Sequence, residues 1–295
     1  MDRRLFLTAI PTAVAGCLSV GESSTPTQPE PPKDAREPPT FPDVNEVRYP
    51  ASGGGSILVT VDPSTVELPG ANITFEVANH GNDRFETNFH HWRLHKRVDD
   101  RWWNLGVFEY MDELHYLNGD ETHTWEAVVD NDRLDQLPEK LSPSADSSFS
   151  LAGVGSGTYT FSIVGSFGSD NSRFAAVTPF QLEGENVSLK PTPFVEVEQE
   201  GETMRVTYND PSPDVGKEYE LTARRRGSHD DAFPLVPEWG LRQEGIRNTL
   251  PFFSQDIEKV VYTTLGHPPG YSIDVIDGST FAYHAFIVEF ELRKG

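Results

Sequence analysis

Three histidines within six residues, His90, His91 and His95, are the side chains best suited to ligate a metal in this chain of 295 residues. They fall in an alternating run, NFHHWRLHKR (88–97), that reads as a strand. His90, Trp92 and Leu94 share one face, opposite His91, Arg93 and His95. Four residues of strand place His91 and His95 roughly 13 Å apart, whereas one zinc ion needs its nitrogens at about 2.0–2.1 Å. Only a partner from a neighbouring strand, such as His115 or His123, could complete a site, so the run by itself predicts neither a metal nor a cofactor. Asp130-Asn-Asp-Arg-Leu-Asp135 superficially suggests a calcium loop, but Leu134, Asp135 and Leu141 stand where an oxygen ligand, Gly and Glu are required. Gly153-Val-Gly-Ser-Gly157 lacks the Lys and helix of a phosphate loop and reads as a turn before a strand. No Ser-His-Asp set, carboxylate pair or zinc helix can be assembled, so an enzyme is not expected.

Aromatic residues offer a second kind of chemistry. Trp102 and Trp103 are adjacent, so on a strand one faces inward and the other outward; Phe108, Tyr110 and Tyr116 follow. Trp102, Trp103, Tyr110 and Tyr116 are candidate contacts for a partner protein or a sugar ring. The competing use of the second Trp is packing, under residues 109–120 or against the second half of the chain. Trp239, Phe252 and Phe253 suit a core, and Arg224-Arg225-Arg226 suits the polar end of a strand. Asn72-Ile-Thr74 and Asn186-Val-Ser188 fit the N-glycosylation acceptor.

These residues need strands to carry them. Residues 56–61, 73–79, 88–97, 103–108, 123–129, 159–167 and 174–182 alternate with turn signals at regular spacing, which predicts a β-sandwich over 46–185. Trp92 in the third strand and Gly157-Thr-Tyr159-Thr-Phe161 late in the domain resemble an immunoglobulin-type sandwich. That resemblance implies Trp92 on the core and Tyr159 as the corner tyrosine. Phe161 stands where the second Cys would be, and Phe75 or Val77 where the first would be. Without that disulfide the domain is similar to the cysteine-free immunoglobulin-like modules of prokaryotic surface proteins.

The second module, 186–295, reads as β-rich with one or two short helices. Strands are expected at 187–189, 194–197, 204–208, 219–223 and 271–276, with a long one at 281–292. A helix is expected over 255–263.

The first 17 residues, MDRRLFLTAIPTAVAGC, give an address. An apolar run of about ten residues is too short to span a bilayer and suits a signal-peptide core. Arg3 and Arg4 before Leu-Phe-Leu resemble a twin-arginine export signal, and Val14-Ala-Gly-Cys17 resembles a lipobox. The resemblance implies cleavage before Cys17 and lipid on that residue. Cys17 is the single Cys, so a lipidated chain has no thiol for a disulfide. Residues 18–45 hold seven prolines and read as a disordered stalk. The net charge of −22 divides as −2, −13 and −7 over residues 1–45, 46–185 and 186–295, with 7 Lys against 17 Arg. Such a diffuse acidic excess resembles the proteome of salt-loving archaea, where molar salt screens self-repulsion, and it excludes nucleic acid as a partner. The expectation is a mainly β, lipid-anchored extracellular protein on the outer face of the cytoplasmic membrane, with a binding or envelope-structural role. A solute-binding lipoprotein serving a transporter is the alternative, followed by an extracellular hydrolase or inhibitor.

Overall fold

Period-two alternation fills most of the chain, and the computed structural model is accordingly mainly β. It describes residues 37–49, 55–106, 112–132, 134, 147–168, 172–209, 217–228, 232–265 and 278–294. Up to residue 183 the strands are Glu46–Arg48 (β1), Ile57–Asp62 (β2), Thr65–Glu67 (β3), Gly70–Asn79 (β4), Phe85–Val98 (β5) and Arg101–Asn104 (β6). His115–Leu117 (β7), Thr122–Asp130 (β8), Ser148–Leu151 (β9), Gly157–Phe167 (β10) and Phe174–Glu183 (β11) follow. One sheet runs β1-β11-β10-β5-β6, with β3 beside β11 and β7 beside β5; the facing sheet runs β2-β4-β8-β9.

Apolar residues spaced two apart meet between these sheets. Ile73, Phe75 and Val77 of β4 and Trp125, Ala127 and Val129 of β8 point inward against Trp92, Leu94 and Phe161. Phe75 and Phe161 stack with centroids 4.1 Å apart and planes 12° from parallel. An aromatic pair thus stands in place of the inter-sheet disulfide, and of the two expected positions Phe75 takes the first. Trp92 stacks on Phe149 at 4.2 Å, and the Tyr159 hydroxyl donates to Gly155 O at 2.7 Å, closing the corner.

The outer face of β10 and β11 is also covered. Phe41 is buried there with Val164, Ala175 and Val177, and Arg93 clamps Asp43 with two bonds of 2.9 Å. Those bonds hold the Asp43 carboxyl below its ordinary range. Residues 37–45, the end of the expected stalk, therefore lie on the sandwich. A lone Phe between prolines (residues 39–42) gave too little periodicity to show it.

The rest of the chain forms one sheet, β12-β13-β16-β14-β18-β17-β15. Its strands are Val195–Glu200 (β12), Thr203–Tyr208 (β13), Glu218–Arg226 (β14), Phe233–Pro234 (β15), Lys259–Leu265 (β16), Thr280–Tyr283 (β17) and Phe286–Lys294 (β18). Three local expectations fail. Residues 255–263 are not helical: the β-branched Val260-Val261 pair enters the central strand β16 instead. Residues 281–292 are a hairpin, reversed at His284 with φ 52°. Residues 187–189 form no strand, although Val187 and Leu189 are buried. The strand expected at 103–108 is Arg101–Asn104. That expected at 271–276 lies outside the described residues.

The two parts join through Pro237–Gly240 (α1), Glu244–Arg247 (α2) and a 3-10 turn at Leu250–Phe252. Burying the charges of this segment requires partners for each. Glu238 accepts from Lys96 Nζ at 2.5 Å and from the Gly155 amide at 3.1 Å. Arg242 donates to Gly153 O at 3.2 Å and Ala152 O at 2.8 Å, and Arg247 donates to Leu134 O at 3.0 Å. Burial lowers Arg242 to about 10, so it stays charged at neutral pH. Trp103 and Trp239 meet across the same seam, 5.9 Å apart.

Gly155 sits where these groups converge. A Cβ there would lie 2.7 Å from Glu238 Oε1 and 2.8 Å from the Val187 amide nitrogen. Gly155→Ala is therefore expected to destabilise the protein by about 1–3 kcal/mol. Gly227→Ala, into open space, should be near neutral. Chemical denaturation in molar salt measures both, and equal effects would contradict this packing.

Candidate functional site

β5 does not run straight through its ladder with β10. Trp92 pairs with Ile163 and Thr87 with Gly165, so Val164 alone stands opposite the four residues Asn88–His91. This bulge re-aims side chains. Phe85, Thr87 and Phe89 are buried before it and His90, Trp92 and Leu94 after it, so the inward phase shifts by one residue at Phe89-His90. Inside the bulge the His90 amide donates to Asn88 Oδ1 at 2.8 Å, and the Thr87 hydroxyl donates to Val164 O at 2.8 Å. The Phe89 amide, displaced from the ladder, is directed to His115 Nδ1 at 3.4 Å.

His115 arrives because β7 pairs with β5 at Thr87. Glu113, two residues earlier, places its carboxylate between the two imidazoles. Glu113 Oε2 is 3.5 Å from His90 Nε2 and 3.8 Å from His115 Nε2. One ligand atom from each of the three lies within 4.8 Å of the others. His90 is buried, His115 is partly buried and half of Glu113 faces solvent. Phe89 stacks on His115 at 4.6 Å and on His123 at 3.7 Å. A rigid aromatic floor thus lies under the cluster.

Glu113 also lines an open cleft of about 440 Å³ together with Glu86, His91, Asp112, Ser166 and Arg173. Burial first, then the nearby Arg93 charge, brings His91 down to about 4, so it is neutral at pH 7. Neutral imidazole next to carboxylate can ligate a cation or hold a polar ligand.

No family model matches this chain, and no curated protein is similar to it. Red sea bream transglutaminase is a solved structure that aligns over 83% of this chain and 30% of that chain, at 10% identity and a TM-score of 0.26. The chain spans under a third of that enzyme's length, and an overlap this loose carries no argument about activity.

The residues singled out from sequence do not gather in one place. Arg3, Arg4, Cys17 and Tyr110 lie outside the described residues. The Trp102 indole donates to Glu37 O at 2.8 Å, while Trp103 packs toward Trp239. Tyr116 is exposed, with the Arg84 guanidinium 4.1 Å from its ring centroid. Trp102 pairs beside Arg97 and Tyr116 beside Glu86, so they sit near opposite ends of β5, about 30 Å apart along the strand. Asn72 and Asn186 are both exposed; Asn186 accepts from the Ser156 hydroxyl at 2.7 Å. Glu113 escaped the sequence reading. Its one signal is the Glu-x-His spacing of 113 and 115, which puts both on one face of an extended segment.

His95, the third residue of the histidine run, lies far from this cluster and is buried edge-on to Phe41, with ring centroids 5.2 Å apart. Burial, then Arg93, lowers it to about 3, against about 6.5 in the unfolded chain. The unfolded state therefore binds more protons between those values. This contribution to stability is full above pH 6.5 and is lost as pH falls toward 3. His95→Phe should flatten the stability profile between pH 6.5 and 4 in denaturant titrations; a slope unchanged from wild type would contradict the assignment.

Proposed function

We propose that this chain is a lipid-anchored protein of the outer face of the cytoplasmic membrane, exported through the twin-arginine route and acting without catalysis in binding or envelope structure. The observation that carries the reading is the placement of the chain's single Cys at the end of Arg3-Arg4 plus a short apolar run. A diacylated Cys17 would hold stably, because each buried CH₂ contributes about 0.8 kcal/mol. The proline-rich segment then spaces the body from the lipid. At about 3.1 Å per residue, the part of it before residue 37 reaches up to roughly 60 Å.

The fold bears on the alternatives. A solute-capturing lipoprotein closes two lobes about a hinge, yet here Glu238, Arg242 and Arg247 fasten the two parts through buried bonds. Opening that seam would also expose the apolar contacts that run across it, such as Trp103 against Trp239. A fixed body with presented edges suits contact with a protein or glycan better. Leu114 and Tyr116 stand exposed along the β7 edge, and we assign the contact face to that edge. The diffuse acidic surface suits molar salt outside the cell and offers no basic face for nucleic acid.

Expression in a host adapted to high salt tests the anchor. Cys17→Ser should move the protein from membranes to the medium, and Arg3→Lys/Arg4→Lys should leave it inside and unprocessed. A Cys17→Ser protein that stays membrane-bound at full length would overturn the reading.

A further inference from the structure

We propose that His90, Glu113 and His115 bind a single divalent first-row transition cation of the zinc class, with the remaining coordination position open to the cleft. Two imidazoles and one carboxylate form a donor set that suits zinc, copper and nickel rather than calcium or magnesium, which prefer oxygen alone.

Distances decide between direct contact and a shared ion. A hydrogen bond between imidazole nitrogen and carboxylate oxygen spans about 2.7–3.2 Å. The two nitrogen–oxygen separations are 3.5 and 3.8 Å, longer than that. Bonds of about 2.0–2.1 Å at tetrahedral angles put neighbouring donor atoms about 3.3–3.4 Å apart. The two edges at Glu113 thus need inward shifts of only a few tenths of an ångström to match a tetrahedron, and the third, between the imidazoles, is within 4.8 Å.

The backbone fixes this set from two segments, β5 and the run through Glu113 into β7. The β5 bulge turns His90 inward, the β7 pairing at Thr87 delivers His115, and the segment entering β7 supplies Glu113. Phe89 backs the His115 ring. The His115 tautomer must change for Nε2 to ligate, because Nδ1 accepts from the Phe89 amide and a neutral ring then carries its proton on Nε2. Ligation through Nε2 moves the ring proton to Nδ1 and gives up that contact, which at 3.4 Å is already long. Glu113 lines the cleft beside Asp112 and Arg173, from which water or a small anion can complete the shell.

Zinc chloride titrated calorimetrically into the full chain, stripped of metal and kept in molar salt, tests the assignment. Cobalt(II) provides a spectroscopic readout. The expected result is one site per chain, a raised melting temperature with zinc, and visible cobalt bands of four-coordinate intensity. Glu113→Gln, which alters a half-exposed side chain, should keep the fold and weaken zinc at least tenfold. His115→Gln should do the same, with both folds checked by circular dichroism. Absence of stoichiometric binding to wild type, or folded variants that bind as wild type does, would overturn the site and leave a metal-free polar cluster only.

Discussion

The buried carboxylate of Glu238 is the constraint around which the two parts of this protein are fitted. It sits between them with almost no solvent contact and accepts from more than one donor. Lys96 reaches it from β5 and the Gly155 amide from the loop before β10. The loop is in turn pinned by the Tyr159 hydroxyl on Gly155 O and by Arg242 on Gly153 O and Ala152 O. An ion pair this deep adds little net stability over apolar residues of the same shape, but losing one partner costs about 3–5 kcal/mol. Its consequence is geometric, because the Lys96, Gly155 and Arg242 bonds are all made in one docking of the C-terminal part on the sandwich. The apolar core runs across the same seam, from Phe75 and Phe161 to Trp239, Leu241 and Phe290.

Within the sandwich, aromatic packing does what a disulfide does in the immunoglobulin domains it resembles. Phe75 and Phe161 come from facing sheets and stack at 4.1 Å, with Trp92, Trp125 and Phe149 around them. Offset aromatic pairs contribute about 0.5–1.5 kcal/mol beyond their area burial. No redox chemistry is needed for this core to form, which suits a domain without thiols. At the surface, Glu196, Glu198 and Glu200 occupy the exposed edge strand β12, where charge discourages pairing with another sheet.

The strands of the sandwich were legible because alternation in β4, β5, β8, β10 and β11 is strong and long. The core Trp and the corner tyrosine were legible only through the resemblance to an immunoglobulin-type sandwich, which placed Trp92 and Tyr159. The bulge at 88–91 was not, since nothing in Asn-Phe-His-His announces that one residue of β10 will face four of β5. A straight-strand argument put His90 and His91 on opposite faces and could name His115 only as a candidate partner from a neighbouring strand; the fold brings His115 and, unforeseen, Glu113 to His90. In the C-terminal sheet, Lys259–Leu265 carries charge and β-branched residues in a pattern that suits either a short helix or a strand. Its position between β13 and β14 is a tertiary outcome. The seam was illegible too: Glu238, Arg242 and Arg247 are residue types that usually face water, yet all three are buried.

Scanning calorimetry of the full chain in molar salt tests the claim that the seam makes one body of two parts. A protein fused in this way should unfold in one transition whose calorimetric and van't Hoff enthalpies agree. Two separable transitions, or a calorimetric enthalpy well above the van't Hoff value, would show that the sandwich and the C-terminal sheet unfold independently and that Glu238 does not join them.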